Sequence, residues 1–268
     1  MIKTIKTLSF TVALLVPGLA YAGNPSADLT VQIVPGGLPG SILPPGNWTL
    51  AFNDEFNGTS LDTTFWTSAT DGTGLFGGQV FVHNSTTVTV SGGELRLVSF
   101  DTPAAGTTGT CHPNGCVNGA VISHTFSSAE GYYEARLKSQ PADYTAFWGA
   151  NTSIPNCGAF SGGFETDIME SFGGSNAQVN THWSGYGSCH LSSGTGSIFA
   201  SADTFHVWGV WINATDGVTY YRDGVQIFHL DGPIATAAAS PFNLYFHIEG
   251  GGGNPPFEID WFRFYRAS

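Results

Sequence analysis

No stretch of this chain carries a capped helical periodicity, apart from one short turn predicted at residues 235–239. From Trp48 onward it is instead a succession of short runs in which apolar and polar residues alternate between glycine-rich turns. Side chains of a strand point to opposite faces in turn, so such runs are half-buried β-strands. Phe81-Val82, Thr87-Val88-Thr89-Val90 and Leu95-Arg96-Leu97-Val98 alternate in this way, with Ser91-Gly92-Gly93 as a hairpin turn between the last two. Further strands are predicted at 117–125, 131–139, 143–150, 163–172, 178–184, 205–213, 217–222, 225–230, 242–249 and 257–265, and Asp223-Gly224 marks another hairpin. There is no internal repeat. Many strands, few helices and frequent turns can bury their apolar faces in one way above all, as a β-sandwich.

The ends of the chain read differently. Lys3 and Lys6 precede the apolar run Leu8 to Leu19 and the small-x-small triplet Ala20-Tyr21-Ala22, the pattern of a secretory signal peptide over residues 1–22. Residues 23–46, rich in Gly, Pro and Ser, read as an extended lead-in. Residues 47–268 then form one all-β domain, whose length suits a single large core. No later segment reaches membrane-spanning length, so the protein is expected to be secreted and monomeric, with no membrane partner. Of the eight basic residues, Lys3 and Lys6 leave with the signal; six against twenty acids gives −14 with histidine neutral. A surface of that sign repels nucleic acid and disfavours anionic polymers, which leaves a neutral polymer as the better substrate. An aromatic content of 13% supplies flat apolar faces of the kind that cover sugar rings, although most of those rings must be core.

In a secreted chain, Cys111, Cys116, Cys157 and Cys189 favour disulfides over a zinc site, for which paired close ligands are lacking. Three pairings are open; Cys111–Cys116 closing a local loop, with Cys157–Cys189, is preferred. Asn47, Asn57, Asn84, Asn151 and Asn213 each stand in an Asn-x-Ser/Thr sequon.

Chemistry concentrates in Glu165-Thr166-Asp167-Ile168-Met169-Glu170, a predicted strand between glycine turns. Glu165 and Asp167 share a face, but strict alternation would turn Glu170 toward the apolar side, a costly place for a charge. One extra residue around Ile168-Met169, a β-bulge, returns Glu170 to the acidic face. Carboxyls so close repel, and their pKa values split, one group staying ionised and one protonated. Glycosidic bond cleavage uses such a pair, a carboxylate nucleophile and an acid for the leaving oxygen. A solvated strand face or a calcium cluster are the alternative readings.

The order Phe52-Asn-Asp54-Glu55-Phe56, Gly131-Tyr-Tyr-Glu134-Ala-Arg136-Leu-Lys138, Phe147-Trp148, the acidic hexapeptide, His182-Trp183, Phe205-His206-Val-Trp208 and Ile259-Asp260-Trp-Phe-Arg263 resembles glycoside hydrolase family 16. The resemblance runs from about residue 48 to 265. It implies a concanavalin A-like jelly-roll sandwich with a concave substrate cleft and a retaining mechanism. Glu165 would be the nucleophile, Asp167 the residue that tunes and orients it, and Glu170 the general acid and base. Two residues between Asp167 and Glu170 is the spacing of the laminarinase, agarase and carrageenase branches. The reading is therefore an endo-acting hydrolase of a neutral polysaccharide, a β-1,3-glucan first. A β-agarase or other galactan hydrolase, a transglycosylase and a non-catalytic carbohydrate-binding sandwich are the alternatives. Two departures stand out: Tyr144-Thr145 where the family often has Trp-Pro, and Thr166 where Ile or Val is usual.

Retention needs the two carboxyls about 5–5.5 Å apart. Glu165 and Glu170 are five residues apart, and even with the bulge taking up one of them their Cα atoms should lie roughly 13 Å apart along an extended strand, so curvature and inward-leaning side chains are required. Trp148, then Trp183, are the candidates for sugar stacking, and His182 for hydrogen bonding an acid or a sugar hydroxyl. Trp208 and Trp211 take opposite faces of one strand, and Glu134 with Arg136 is expected to form a structural ion pair. Glu249-Gly-Gly-Gly-Gly-Asn254 reads as a flexible loop at the cleft rim. The resemblance implies no required cofactor, but some family members hold a structural calcium; Asp260 matches that position and Glu55 could assist.

Overall fold

The computed structural model describes residues 37–68, 87–100, 118–139, 144–151, 164–172, 176–183, 191–195, 204–232, 234–249 and 255–268. Among them the strands form two antiparallel sheets packed face to face. The first runs β13 (Val225–Asp231), β12 (Gly217–Arg222), β11 (His206–Asn213), β6 (Gly131–Lys138), β15 (Phe257–Ala267), β4 (Glu94–Leu97) and β3 (Val88–Ser91), with β1 (Trp48–Asp54) alongside the C-terminal half of β15. The second runs β10 (Leu191–Gly194), β9 (Gln178–Trp183), β8 (Phe164–Phe172), β7 (Tyr144–Asn151), β14 (Phe242–Glu249), β5 (Ala120–Ser123) and β2 (Trp66–Ser68). The one helix described, α1 (Ala235–Ala238), is a single turn where a turn was expected. Phe81-Val82, the four cysteines, Asn84 and the segment 250–254 lie outside the described residues.

The inner faces meet in a core dominated by aromatic rings. Phe147 and Phe246 stack at 4.6 Å, and Trp66 meets Phe262 edge-on at 5.5 Å. Trp208 is part of this core, whereas Trp211 faces outward. Thr166 also points inward, and its hydroxyl lies 2.6 Å from that of Tyr220 across the sandwich. Tyr220 Oη lies 2.5 Å from Thr181 Oγ1 and donates to Asn180 O at 2.6 Å, so a threonine in place of Ile or Val completes a buried polar network between the sheets.

The outward face of the eight-stranded sheet is covered rather than free. Residues 37–46, read from sequence as part of a lead-in, lie across Trp48, Tyr132, Tyr221 and Tyr265 with Leu38 and Leu43 inserted. Polar ties fix the strap: Tyr132 Oη donates to Ile42 O at 3.2 Å, Trp48 Nε1 to Pro44 O at 2.8 Å and Arg263 to Pro39 O at 2.9 Å. Beneath it Glu134 is fully buried and accepts from Ile42 N at 3.2 Å. The expected Glu134–Arg136 pair does not form: Arg136 takes Asp260 at 2.5 Å, and Glu134 stands opposite Arg263 on β15. A sequon does not survive folding at Asn151 either, because its buried Nδ2 donates to three carbonyls around α1.

Candidate active site

The outward face of the seven-stranded sheet carries the acidic motif. On β8, Asp167 pairs with Asn180 of β9 and Glu170 with Gln178, so Ile168 and Met169 together oppose the single residue Val179. That is a bulge at the expected place. Its effect is to send both Ile168 and Met169 into the core, each fully buried, while Glu165, Asp167 and Glu170 share the outward side. Toward β7 the register sets Glu165 against Ala150, Asp167 against Trp148 and Glu170 against Ala146. Each glutamate thus stands beside a methyl group, and the central aspartate is walled by an indole.

Their environments differ. Glu165 is partly exposed, whereas Asp167 and Glu170 are 3% and 7% exposed. Burial holds the Asp167 carboxyl well above the usual carboxylate range, and repulsion from Glu170 and then Glu165 raises it further. Burial raises Glu170 too, against hydrogen bonds that favour its ionised form: Tyr144 Oη donates to Oε1 at 2.7 Å and Gln178 Nε2 to Oε2 at 3.2 Å. His182 Nε2 approaches Asp167 Oδ2 at 3.0 Å but off the hydrogen-bond angle, and receives the Asn180 amide at 2.9 Å.

On the other side of β7 the wall is aromatic. Trp148 lies on the outward face, yet it is only 7% exposed because Tyr245 of β14 stacks on it at 4.1 Å. Its indole N–H donates to His247 Nδ1 at 2.8 Å. Burial lowers His247 to about 3, so it is neutral with its proton on Nε2, 3.6 Å from Glu249 Oε1. Trp183 is placed elsewhere: it follows His182 by one residue, and so it packs against the core between the sheets. The structure therefore brings together Glu165, Asp167, Glu170, His182 and Trp148 on one face, and leaves Trp183 on the other. Residues not predicted for the site from sequence join them: Tyr144, noted there only as a departure from the family pattern, with Gln178, Asn180, Tyr245, His247 and Glu249. Their signal was available as period-two polarity, Gln178-x-Asn180-x-His182 around Val179 and Thr181, and Tyr245-x-His247-x-Glu249 around Phe246 and Ile248.

The residues suggested for calcium do not fit it. Glu55 is held by Arg263 through two bonds of 2.9 Å, and Asp260 by Arg136. Among the described residues, three donors converge closely enough to share a cation: Glu165, Asp167 and His182, within 4.8 Å of one another in the cleft itself.

A scan of protein-family models finds no match to this chain. A curated relative, β-porphyranase E of Zobellia galactanivorans, is 28% identical over 216 residues, 74% of either chain. Among solved structures, porphyranase B of the same organism superposes with a TM-score of 0.63 at 22% identity, over 87% of this chain and 97% of that one. SCLam, a non-specific endo-β-1,3(4)-glucanase from family GH16, gives a TM-score of 0.66 at 20% identity, over 89% and 98%. The superpositions establish the jelly-roll fold. With the ordered motifs and the bulged acidic strand added, the chain is similar to the enzymes of family GH16.

Proposed function

We propose that this chain is an endo-acting, retaining hydrolase that cleaves a neutral β-glucan, β-1,3-linked first, outside the cell that makes it. One observation carries the reading: the bulge gathers Glu165, Asp167 and Glu170 on one face while their environments separate them into an accessible carboxylate and a buried acid. Glu165 attacks the anomeric carbon as Glu170 gives its proton to the departing glycosidic oxygen, leaving a glycosyl ester on Glu165 and a carboxylate on Glu170. That carboxylate then takes a proton from water, whose oxygen displaces Glu165 from the sugar. Two inversions leave the configuration unchanged. Asp167, kept neutral by burial, stands beside both without adding a third charge to the strand. The Trp148–Tyr245 stack supplies an apolar wall for a sugar ring.

The neutral glucan is favoured by the acidity of the chain, −12 before removal of any leader, and the Met1–Ala22 pattern supports export. The curated relative supports a second substrate, a galactan, since it is a porphyranase. Incubation with laminarin, lichenan, agarose and carrageenan, read by reducing ends and product length, decides between them; release of monosaccharide alone would remove the endo-acting reading. Glu165→Ala and Glu170→Ala should both stop turnover of the polymer. Only Glu170→Ala should still react with a substrate carrying a good leaving group and be rescued by azide to a product of retained configuration. Inverted product from that variant would reverse the assignment.

A further inference from the structure

Tyr144 opens β7, at the place where the sequence departs from the usual Trp-Pro, and its hydroxyl donates to Glu170 Oε1 at 2.7 Å. Its ring lies 4.9 Å from that of Phe172 and 5.1 Å from the His247 imidazole, so packing on two sides fixes where the hydroxyl sits. From the opposite neighbour, β9, Gln178 donates to Oε2 at 3.2 Å. Each carboxyl oxygen of Glu170 is therefore tied to a different strand, and a long side chain with several rotatable bonds is held in one orientation. Burial raises the Tyr144 phenol well above its usual range, which keeps it a donor throughout the working pH range.

We infer that Tyr144 is a positioning residue for the general acid and base, turning the Glu170 carboxyl toward the glycosidic oxygen; this rests on the role proposed for Glu170 above. The substitution Tyr144→Phe removes the donor and keeps the ring contacts. The other titratable groups that face Glu170 stay in place: Glu165 and Asp167 on β8, His182 on β9, His247 and Glu249 on β14. Because the lost bond favoured the carboxylate, the Glu170 pKa should rise, and the basic limb of the kcat/KM profile should move to higher pH.

The experiment compares Tyr144→Phe with wild type on oligosaccharides of whichever test polymer is cleaved, and on a 2,4-dinitrophenyl glycoside of the same sugar. Oligosaccharide kcat/KM should fall about 10- to 100-fold, the scale of a misaligned catalytic group. The dinitrophenyl glycoside needs no proton on departure, so its kcat/KM should stay within about threefold. Gln178→Met should act in the same direction and more weakly. Carbon-13 NMR titration of labelled glutamate, which needs no turnover, should show the Glu170 carboxyl moving to higher pH in Tyr144→Phe. Equal losses on both substrates, no loss on the oligosaccharide, or a Glu170 titration that stays put would each overturn the inference. Full oligosaccharide turnover by Glu170→Ala would remove the role of Glu170 itself, and the Tyr144 inference with it.

Discussion

Glu134 and Glu170 occupy opposite outer faces of the same sandwich, and burial raises the pKa of both. Nothing in the direction of that shift separates them. Their surroundings do. Glu134 sits beneath residues 37–46, with Ile42 N, Ser41, Tyr132 and Arg263 disposed around it and no route to a polymer. Glu170 lies beside two more carboxyls, of which Glu165 is partly exposed, opposite an alanine, with its oxygens held by groups that could release it to a substrate. A perturbed carboxyl identifies a site only when it is also reachable and has a charged partner for the chemistry.

Exchanging the two glutamates' fates is the most direct way to break this contrast. Glu170→Gln should lower polymer turnover by at least about 10²-fold with little change in melting temperature. Glu134→Ala should leave kcat per folded molecule unchanged and cost on the order of 2–4 kcal/mol in denaturant unfolding, through unpaired donors and a cavity. If Glu134→Ala loses activity at full stability, the covered face takes part in function and the contrast fails. Deletion of Met169 sharpens the role of the bulge. The shortened strand, Glu165-Thr-Asp-Ile-Glu, keeps all three acids on one face by plain alternation. It also loses a fully buried side chain packed opposite Phe147, so weak hydrolysis should persist in a protein destabilised by about 2–5 kcal/mol. Insertion of an alanine after Met169 should abolish activity, and equal inactivity of the deletion would show that spacing, not facing, is decisive.

The pH dependence of stability offers a smaller, two-sided check. His247 is lowered to about 3, so between its ordinary value near 6.5 and pH 3 the unfolded chain binds a proton that the folded chain refuses. Stability from this residue is full above about pH 6.5 and drains as pH falls. Asp167 and Glu170 are raised, so they work the other way: the folded chain keeps protons that the unfolded chain loses, and stability falls as pH rises above about 4. His247→Gln should flatten the acid side of the unfolding profile, and Glu170→Gln the basic side. Should His247→Gln leave the acid side unchanged, the histidine is not buried neutral.

Most strands were legible because glycine turns and period-two patterns delimit them, and the bulge was legible because without it Glu170 would have faced the core. β10, Leu-Ser-Ser-Gly, was not: it is a mostly exposed edge strand and has no apolar face to alternate. β2 was too short, at three residues, to show any period. Trp183, a candidate for the cleft, is turned inward by its adjacency to His182, a consequence of alternation along β9. The Glu134–Arg136 pair failed for a different reason. Sequence shows which residues share a strand, but Asp260 and Arg263 reach that strand only through pairing with β15, some 125 residues later.

That late arrival has a consequence for how such a protein is made. β14 slots between β7 and β5, and β15 between β6 and β4, so the two described strands latest in chain order complete the middles of both sheets. The meander β7-β8-β9-β10 can assemble earlier from neighbours in sequence, acids included. Until β14 and β15 emerge, however, Phe147, Tyr133 and Leu137 have open ladder edges beside them and no finished core to enter. A nascent chain stalled before residue 242 would thus present a nearly formed acidic strand on a sheet with a sticky inner side, the species a chaperone would be expected to hold.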